Sequence, residues 1–245
     1  MKSMKVFVIS LLRSEARRAH VDRQLKAQNV DYQFFDALDG HAGYKIGFDS
    51  FDATQFILRT GRLATPGEIG CFASHRELWN HCMELDEPLL IMEDDFDLTA
   101  EFPSAVTEAR ALVDRYGYLR LQTESRGKRV KHSQAGKFSV HFYTKVPHGA
   151  AAYCISPKVA RAFHLSSAIL NAPVDVFIKS VWEHRQPLFG LLPYTVQPNW
   201  MARHSTIGKR NKVRKDLPLR SARVVEKARD LTRRALFNRG AFPRL

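Results

Sequence analysis

The chain has 245 residues, 44% hydrophobic and 11% aromatic, enough to bury the core of one large domain or two small ones; no apolar run approaches the roughly 18 residues that a membrane span needs. The net charge of +13 is concentrated, with 14 Lys/Arg and 3 Asp/Glu between residues 203 and 245. A near-neutral body thus carries a cationic appendage suited to phosphate-bearing surfaces such as lipid, lipopolysaccharide or nucleic acid. Cys71, Cys82 and Cys154 are odd in number and lack metal-site spacing, which argues against a disulfide framework and for a reducing compartment, with the cysteines as core fillers.

The opening MKSMKVFVISLLRSEARR has a basic start and a short apolar stretch but no small-residue cleavage site, so KVFVIS (5–10) reads as a buried first strand. Ser14 is placed to cap a helix through Val21 and Leu25, and DYQFFDA (31–37) reads as a second strand. A strand followed by an arginine-rich helix start is a natural seat for a nucleotide, since ligands gather at the carboxyl ends of parallel strands. The plainer reading of Arg13, Arg17 and Arg18 is a solvated helix face.

Residues 40–64 hold the glycines of GHAGYKIG and little periodicity, which predicts a loop or small excursion. Thr65, Pro66 and Glu68 then have the spacing of a capping box with proline at the first helical position. In that helix Phe72, His75, Trp79 and Met83 recur at three and four residues and should face inward; His75 then reads either as a hydrogen-bonded core histidine or as a ligand. PLLIM (88–92), GYLRLQT (117–123), KFSVHFYT (137–144) and GAAAYCI (149–155) read as strands. Pro157 opens a helix through Phe163, residues 172–185 form another, and 188–198 a last strand and its exit. The alternation is α/β throughout.

The stretch LLIMEDDFDL (89–98) ends an apolar strand in Glu93, Asp94, Asp95 and Asp97. At an effective dielectric near 20 and about 6 Å, each such pair costs roughly 3 kcal/mol, which solvent or a cation must offset. In extended chain, residues i and i+2 share a face, so Glu93 and Asp95 point one way and Asp94 the other. Two carboxylates on one face are a partial ligand set for Mg²⁺ or Mn²⁺ with sites left open for phosphate; a solvated turn or helix cap is the alternative.

These residues carry a resemblance. Over roughly residues 4–208 the chain resembles the glycosyltransferase family 25 enzymes of bacterial lipooligosaccharide biosynthesis. The resemblance rests on VISLLRSEARR, FFDALDG (34–40), GEIGCFASH (67–75), LIMEDDFDL (90–98), GAAAYCISPKVA (149–160), PVD (173–175), and Gln197 followed by HSTIG (204–208), in that order. It implies a GT-A-like fold with a mixed central sheet, a Rossmann-type nucleotide half joined to an acceptor half, and a DXD-type motif holding a metal on the diphosphate. It also implies transfer of galactose or glucose from a UDP-sugar, usually with inversion, to a lipid-linked core saccharide. Carried over motif by motif, it implies sugar-nucleotide contacts from Ser10, Leu11, Arg13, Arg17, Asp36, Ser74, His75, Asp94, Gln197, Ser205 and Thr206, with Glu93, Asp95 and His204 as metal ligands. Ser10 stands where the family commonly has asparagine. His204 is also readable as an ordinary loop histidine.

An inverting transfer needs a carboxylate that takes the acceptor hydroxyl's proton, and Asp175 of the PVD motif is the candidate; a helix cap is its alternative role. Two other readings compete. A metal-dependent nucleotidyltransferase or phosphoesterase would place more carboxylates on neighbouring strands, and release of phosphate instead of sugar would reveal it. A nucleic-acid-binding module would need aromatics interleaved in the basic tail, which has only Phe237 and Phe242 late in it. The expected organisation is a catalytic domain over 1–208 and a basic tail over 209–245. In that tail Val224, Ala228, Leu231 and Ala235, near Leu236 and Phe237, suit an interfacial helix. That predicts a cytoplasmic enzyme held peripherally on the anionic inner membrane face, with no nucleic-acid partner.

Overall fold

The computed structural model describes residues 3–124, 126–199, 201, 213 and 217–241. In chain order the first half comprises β1 (Lys5–Ser10), α1 (Glu15–Ala27), β2 (Gln33–Asp36), β3 (Ser50–Phe51), α2 (Ala53–Thr60), α3 (Pro66–Leu85), β4 (Leu89–Met92), β5 (Phe96–Leu98) and α4 (Phe102–Tyr116). The second half comprises β6 (Tyr118–Arg120), β7 (Lys128–Ala135), β8 (Phe138–Lys145), β9 (Ala152–Ile155), α5 (Pro157–Ser166), β10 (Ile169–Leu170), α6 (Val174–Lys179), α7 (Val181–His184), β11 (Phe189–Leu192), β12 (Val196–Pro198) and α8 (Leu217–Ala241).

Eight strands form one mixed sheet in the order β2-β1-β4-β9-β6-β11-β8-β7. β1 lies between β2 and β4, parallel to both, while β9 runs antiparallel to β4 and β6. Helices cover both faces, so the strands between them are apolar on both sides, as their continuous apolar runs predict. Along β1, Val6 and Val8 join the cluster under α1 and α4, whereas Phe7 and Ile9 join the one under α3, α5 and α6. The edge strand β7 is cationic and mostly exposed, a composition that discourages further strand pairing.

The capping box forms as its spacing predicts. The Thr65 hydroxyl accepts from the Glu68 N–H and the Glu68 carboxylate from the Thr65 N–H, with Pro66 at the helix start. Gly40 and Gly70 let two motifs touch by backbone: a Cβ on Gly40 would strike the Pro66 carbonyl, and one on Gly70 the Leu38 carbonyl. The DALDG loop thereby rests on the N-terminal turns of α3.

Four expectations are corrected. Residues 40–64 are not merely a loop, for they contain α2, capped by the Asp52 side chain accepting from the Gln55 N–H and closed by Gly61 at φ 77°. Ser14 precedes α1 without a side-chain cap bond. The stretch 172–185 is two helices, because the Ser180 N–H bonds the Phe177 carbonyl and closes α6 early. The stretch 188–198 divides into β11 and β12, the latter pairing with β5 in a separate ribbon. α4 and β7 lie where no element was expected.

Candidate active site

The parallel strands β1, β2 and β4 open their carboxyl ends on one edge of the sheet, and a cleft lies there. Ser10, Leu11, Arg13 and Arg17 line it on one side, residues 37–41 on another, and Glu93, Asp94 and Asp95 beneath β4. It encloses about 120 Å³. A second cavity of about 420 Å³ is lined by residues from α2, α3, α6 and the 148–150 loop, among them Arg59, Arg62, His148, Asp175 and Lys179. Cys71 and Glu93 line both spaces, so Glu93 stands at their junction.

The three consecutive carboxylates have different fates. Asp94, 7% exposed, accepts from Ser10 Oγ at 2.6 Å and from Arg17 Nη1 at 2.7 Å, one bond to each oxygen. Its charge is met by the protein, and the Ser10 hydroxyl is committed to it. Arg17 Nη2 also donates to the Met201 carbonyl at 2.9 Å, holding residue 201 beside the acids. Asp95 is treated otherwise. Burial, and then the Glu93 carboxylate, push it up to about 7, with Arg17 pulling down against a further push from Asp94.

Glu93 is oriented from behind. Trp79 Nε1–H donates to the Tyr153 hydroxyl oxygen at 2.8 Å, and the same hydroxyl lies 2.8 Å from His75 Nδ1. Burial holds the Tyr153 proton far above its ordinary range, so that proton goes to Nδ1. With Tyr153 donating to Nδ1, the Nε2–H is left to face Glu93 Oε1 at 3.3 Å. Cys71 Sγ, His75 Nε2 and a Glu93 oxygen lie within 4.8 Å of one another, the donor types a soft metal takes. Burial, then the Glu93 charge, push the Cys71 thiol well above its ordinary value. In this arrangement His75 braces the Glu93 carboxylate.

In the second cavity Asp175 stands in the first turn of α6, where Pro173 is the N-cap and no side chain caps the helix. Its carboxylate turns to the neighbouring loop, accepting from His148 Nδ1 at 3.1 Å and from the Gly149 N–H at 3.4 Å. Lys179 Nζ lies 3.0 Å from His148 Nε2, which leaves the imidazole proton on Nδ1 for Asp175. Burial works to raise Asp175, but the His148 bond, the Gly149 N–H and Lys179 outweigh it and hold the carboxyl below its ordinary value. Arg120, 1% exposed, fixes this loop by donating to the carbonyls of Gln122, His148 and Gly149.

The other expected site residues are scattered. Ser74 Oγ donates to the Gly70 carbonyl and accepts the Leu38 N–H, bracing the cleft wall from within; His75 is fully buried behind Glu93. Asp36 is exposed and paired with Arg18, and Gln197 is exposed on β12, opposite Asp97; neither lines the two spaces. His204, Ser205 and Thr206 lie outside the described residues. Sequence reasoning missed Arg120, Tyr153, His148 and Lys179. An arginine set inside the apolar strand GYLRLQT was the available signal for Arg120; pairings that join distant segments left none for the others.

The family model described as glycosyltransferase family 25 (LPS biosynthesis protein) matches residues 3–178. A Haemophilus influenzae protein named as a glycosyltransferase of unproven activity is 30% identical over 71% of this chain and 61% of its own length. The lipooligosaccharide biosynthesis protein lic2B of Haemophilus influenzae is 28% identical over 67% and 65%. Human procollagen galactosyltransferase 2 is 28% identical over 45% of this chain but 18% of its own. The chain therefore spans under two thirds of the length of these relatives.

Proposed function

This chain belongs to glycosyltransferase family 25, and from that premise we propose that it is a GT-A-like, metal-dependent, inverting transferase. It moves galactose or glucose from a UDP-sugar onto a lipid-linked core saccharide presented at the anionic inner face of a membrane. The observation that carries the reading is the meeting, at Glu93, of a cleft with two mutually repelling carboxylates and a cavity holding a stabilised one.

The residues fit a hard divalent cation. Glu93 is held by His75, Asp95 has no cation of its own strong enough to keep it at an ordinary carboxylate value, and Asp94 is withdrawn onto Ser10 and Arg17. Glu93 and Asp95 would hold Mn²⁺ or Mg²⁺, which when bound supplies neutralising charge for the departing diphosphate. Arg13 and Arg17 add positive charge on the same wall. Small-molecule sites usually run to about 300–1,000 Å³, so a cleft of about 120 Å³ is too small for a whole sugar nucleotide. The hexose then extends past Glu93 into the larger cavity.

There Asp175 accepts the proton of the attacking hydroxyl. Its depressed pKa keeps it ionised at neutral pH, at some loss of basicity. His148 keeps the carboxylate aimed, and Lys179 keeps the His148 tautomer. A panel of UDP-sugars tested with and without Mn²⁺ against core saccharide acceptors checks the reading. UDP-galactose or UDP-glucose should be consumed and the product anomer inverted; no turnover of any sugar nucleotide with any acceptor contradicts it.

A further inference from the structure

α8 has two faces of opposite character. Toward the body, Glu226, 5% exposed, accepts from Gln55 Nε2 at 2.7 Å, Arg223 Nη1 donates to the Ile57 carbonyl at 2.6 Å, and Asn238 Nδ2 donates to the Thr144 carbonyl at 2.9 Å. Phe237, near the stripe in sequence, packs against the core. These bonds to α2 and β8 fix how the helix is rotated.

Leu217, Val224, Val225, Leu231 and Leu236 of this helix are each 48–79% exposed; Leu236 borders a cavity shared with Trp182 and Pro187, while Leu217, Val224 and Leu231 lie on the side opposite Glu226. All five are among the ten exposed large hydrophobic residues of the described chain, so apolar exposure is concentrated on this one helix. The intervals 217, 224, 228, 231, 235 form a single stripe. Arg220, Lys227 and Arg239 are exposed beside it, while Arg229 and Arg233 turn to Glu226 and Asp230. The two acids of the helix, Glu226 and Asp230, are buried and half-buried, so the exposed charge on α8 is cationic.

We propose that this outward face of α8 docks the protein on an anionic lipid bilayer, the aliphatic stripe entering the headgroup boundary and the flanking cations meeting lipid phosphates. Aliphatic residues between basic flanks are the pattern of an interfacial helix. A nucleic-acid site would call for aromatic side chains on which bases stack, and the stripe has none. The seat of α8 supports the same orientation, because α2, which receives Gln55–Glu226 and Ile57–Arg223, also supplies Arg59 and Thr60 to the wall of the larger cavity. Docking thus sets that cavity close to the bilayer. Its purpose rests on the lipid-linked acceptor proposed above, but binding itself is measured without any catalysis, so the two readings fail separately.

The test is flotation of the full chain with vesicles of phosphatidylcholine alone or mixed with phosphatidylglycerol, in dilute and concentrated salt. Recovery should rise at least tenfold with the anionic lipid and fall with salt. Arg220→Glu with Lys227→Glu should lower binding at least tenfold, and Val224→Ser with Leu231→Ser should remove what survives concentrated salt, with the circular dichroism spectrum unchanged in both. Equal recovery on the two vesicle types, wild-type binding by either folded variant, or equally tight, salt-sensitive binding to a duplex RNA would overturn the proposal.

Discussion

The two compartments that meet at Glu93 treat their carboxylates in opposite ways. In the cleft Asp95 sits beside Glu93 and is pushed up to about 7. In the larger cavity Asp175 is equally an acid in a partly closed space, yet His148, Gly149 and Lys179 hold it low. One site leaves its charge uncompensated and the other compensates it from within. The proposed chemistry follows that difference: a cation would be held where repulsion is unrelieved, and the proton acceptor would stand where the fold supplies the counter-charge.

The sharpest way to break the comparison is Asp175→Asn, which preserves shape but cannot accept a proton. Turnover should fall about 10² to 10⁴-fold, with Mn²⁺ affinity and the melting curve unchanged. Asp95→Ala should do the reverse in kind, weakening Mn²⁺ by more than the roughly 10²-fold that outer partners are worth. If both variants lost metal affinity alike, the two compartments would not be chemically distinct.

Smaller changes sharpen it. Tyr153→Phe removes the hydroxyl that sets the His75 tautomer and should weaken Mn²⁺ about 10- to 100-fold; ¹⁵N shifts of His75 should show an Nε2–H in the wild type and a tautomer mixture in the variant. Acid pH should weaken Mn²⁺ by up to about tenfold per unit below 7, since the ion competes with the Asp95 proton. The folded-state value lies above the unfolded 3.8, so this group's contribution to stability is present at low pH and lost as pH rises through about 7. Mn²⁺ should accordingly raise the melting temperature more at pH 8 than at pH 5. His148→Gln should raise the Asp175 pKa and move the acid limb of the rate profile to higher pH, the smallest of these effects.

Much of the frame was legible because it is local. The apolar runs of β1 and β4 and the capping box of α3 are written within a few residues. The α2 helix was legible too, in Asp52 and Gly61, but its short amphipathic pattern was outweighed by the glycines before it. The interior of the site was not legible. His75 reads as either ligand or core until Tyr153, 78 residues away, shows which nitrogen holds the proton, and Asp175 reads as a helix cap until a loop pinned by Arg120 brings His148 to it. Such pairings depend on tertiary contact and leave no period in the chain.

The most direct measurement is calorimetric titration of UDP into the protein with Mn²⁺ and with a chelator, repeated for Asp95→Ala and Asp175→Asn. UDP should bind at least tenfold tighter with Mn²⁺, the coupling should vanish in Asp95→Ala, and it should persist in Asp175→Asn. UDP binding that is equally tight with the chelator, or coupling that survives Asp95→Ala, would contradict a cation site between Glu93 and Asp95.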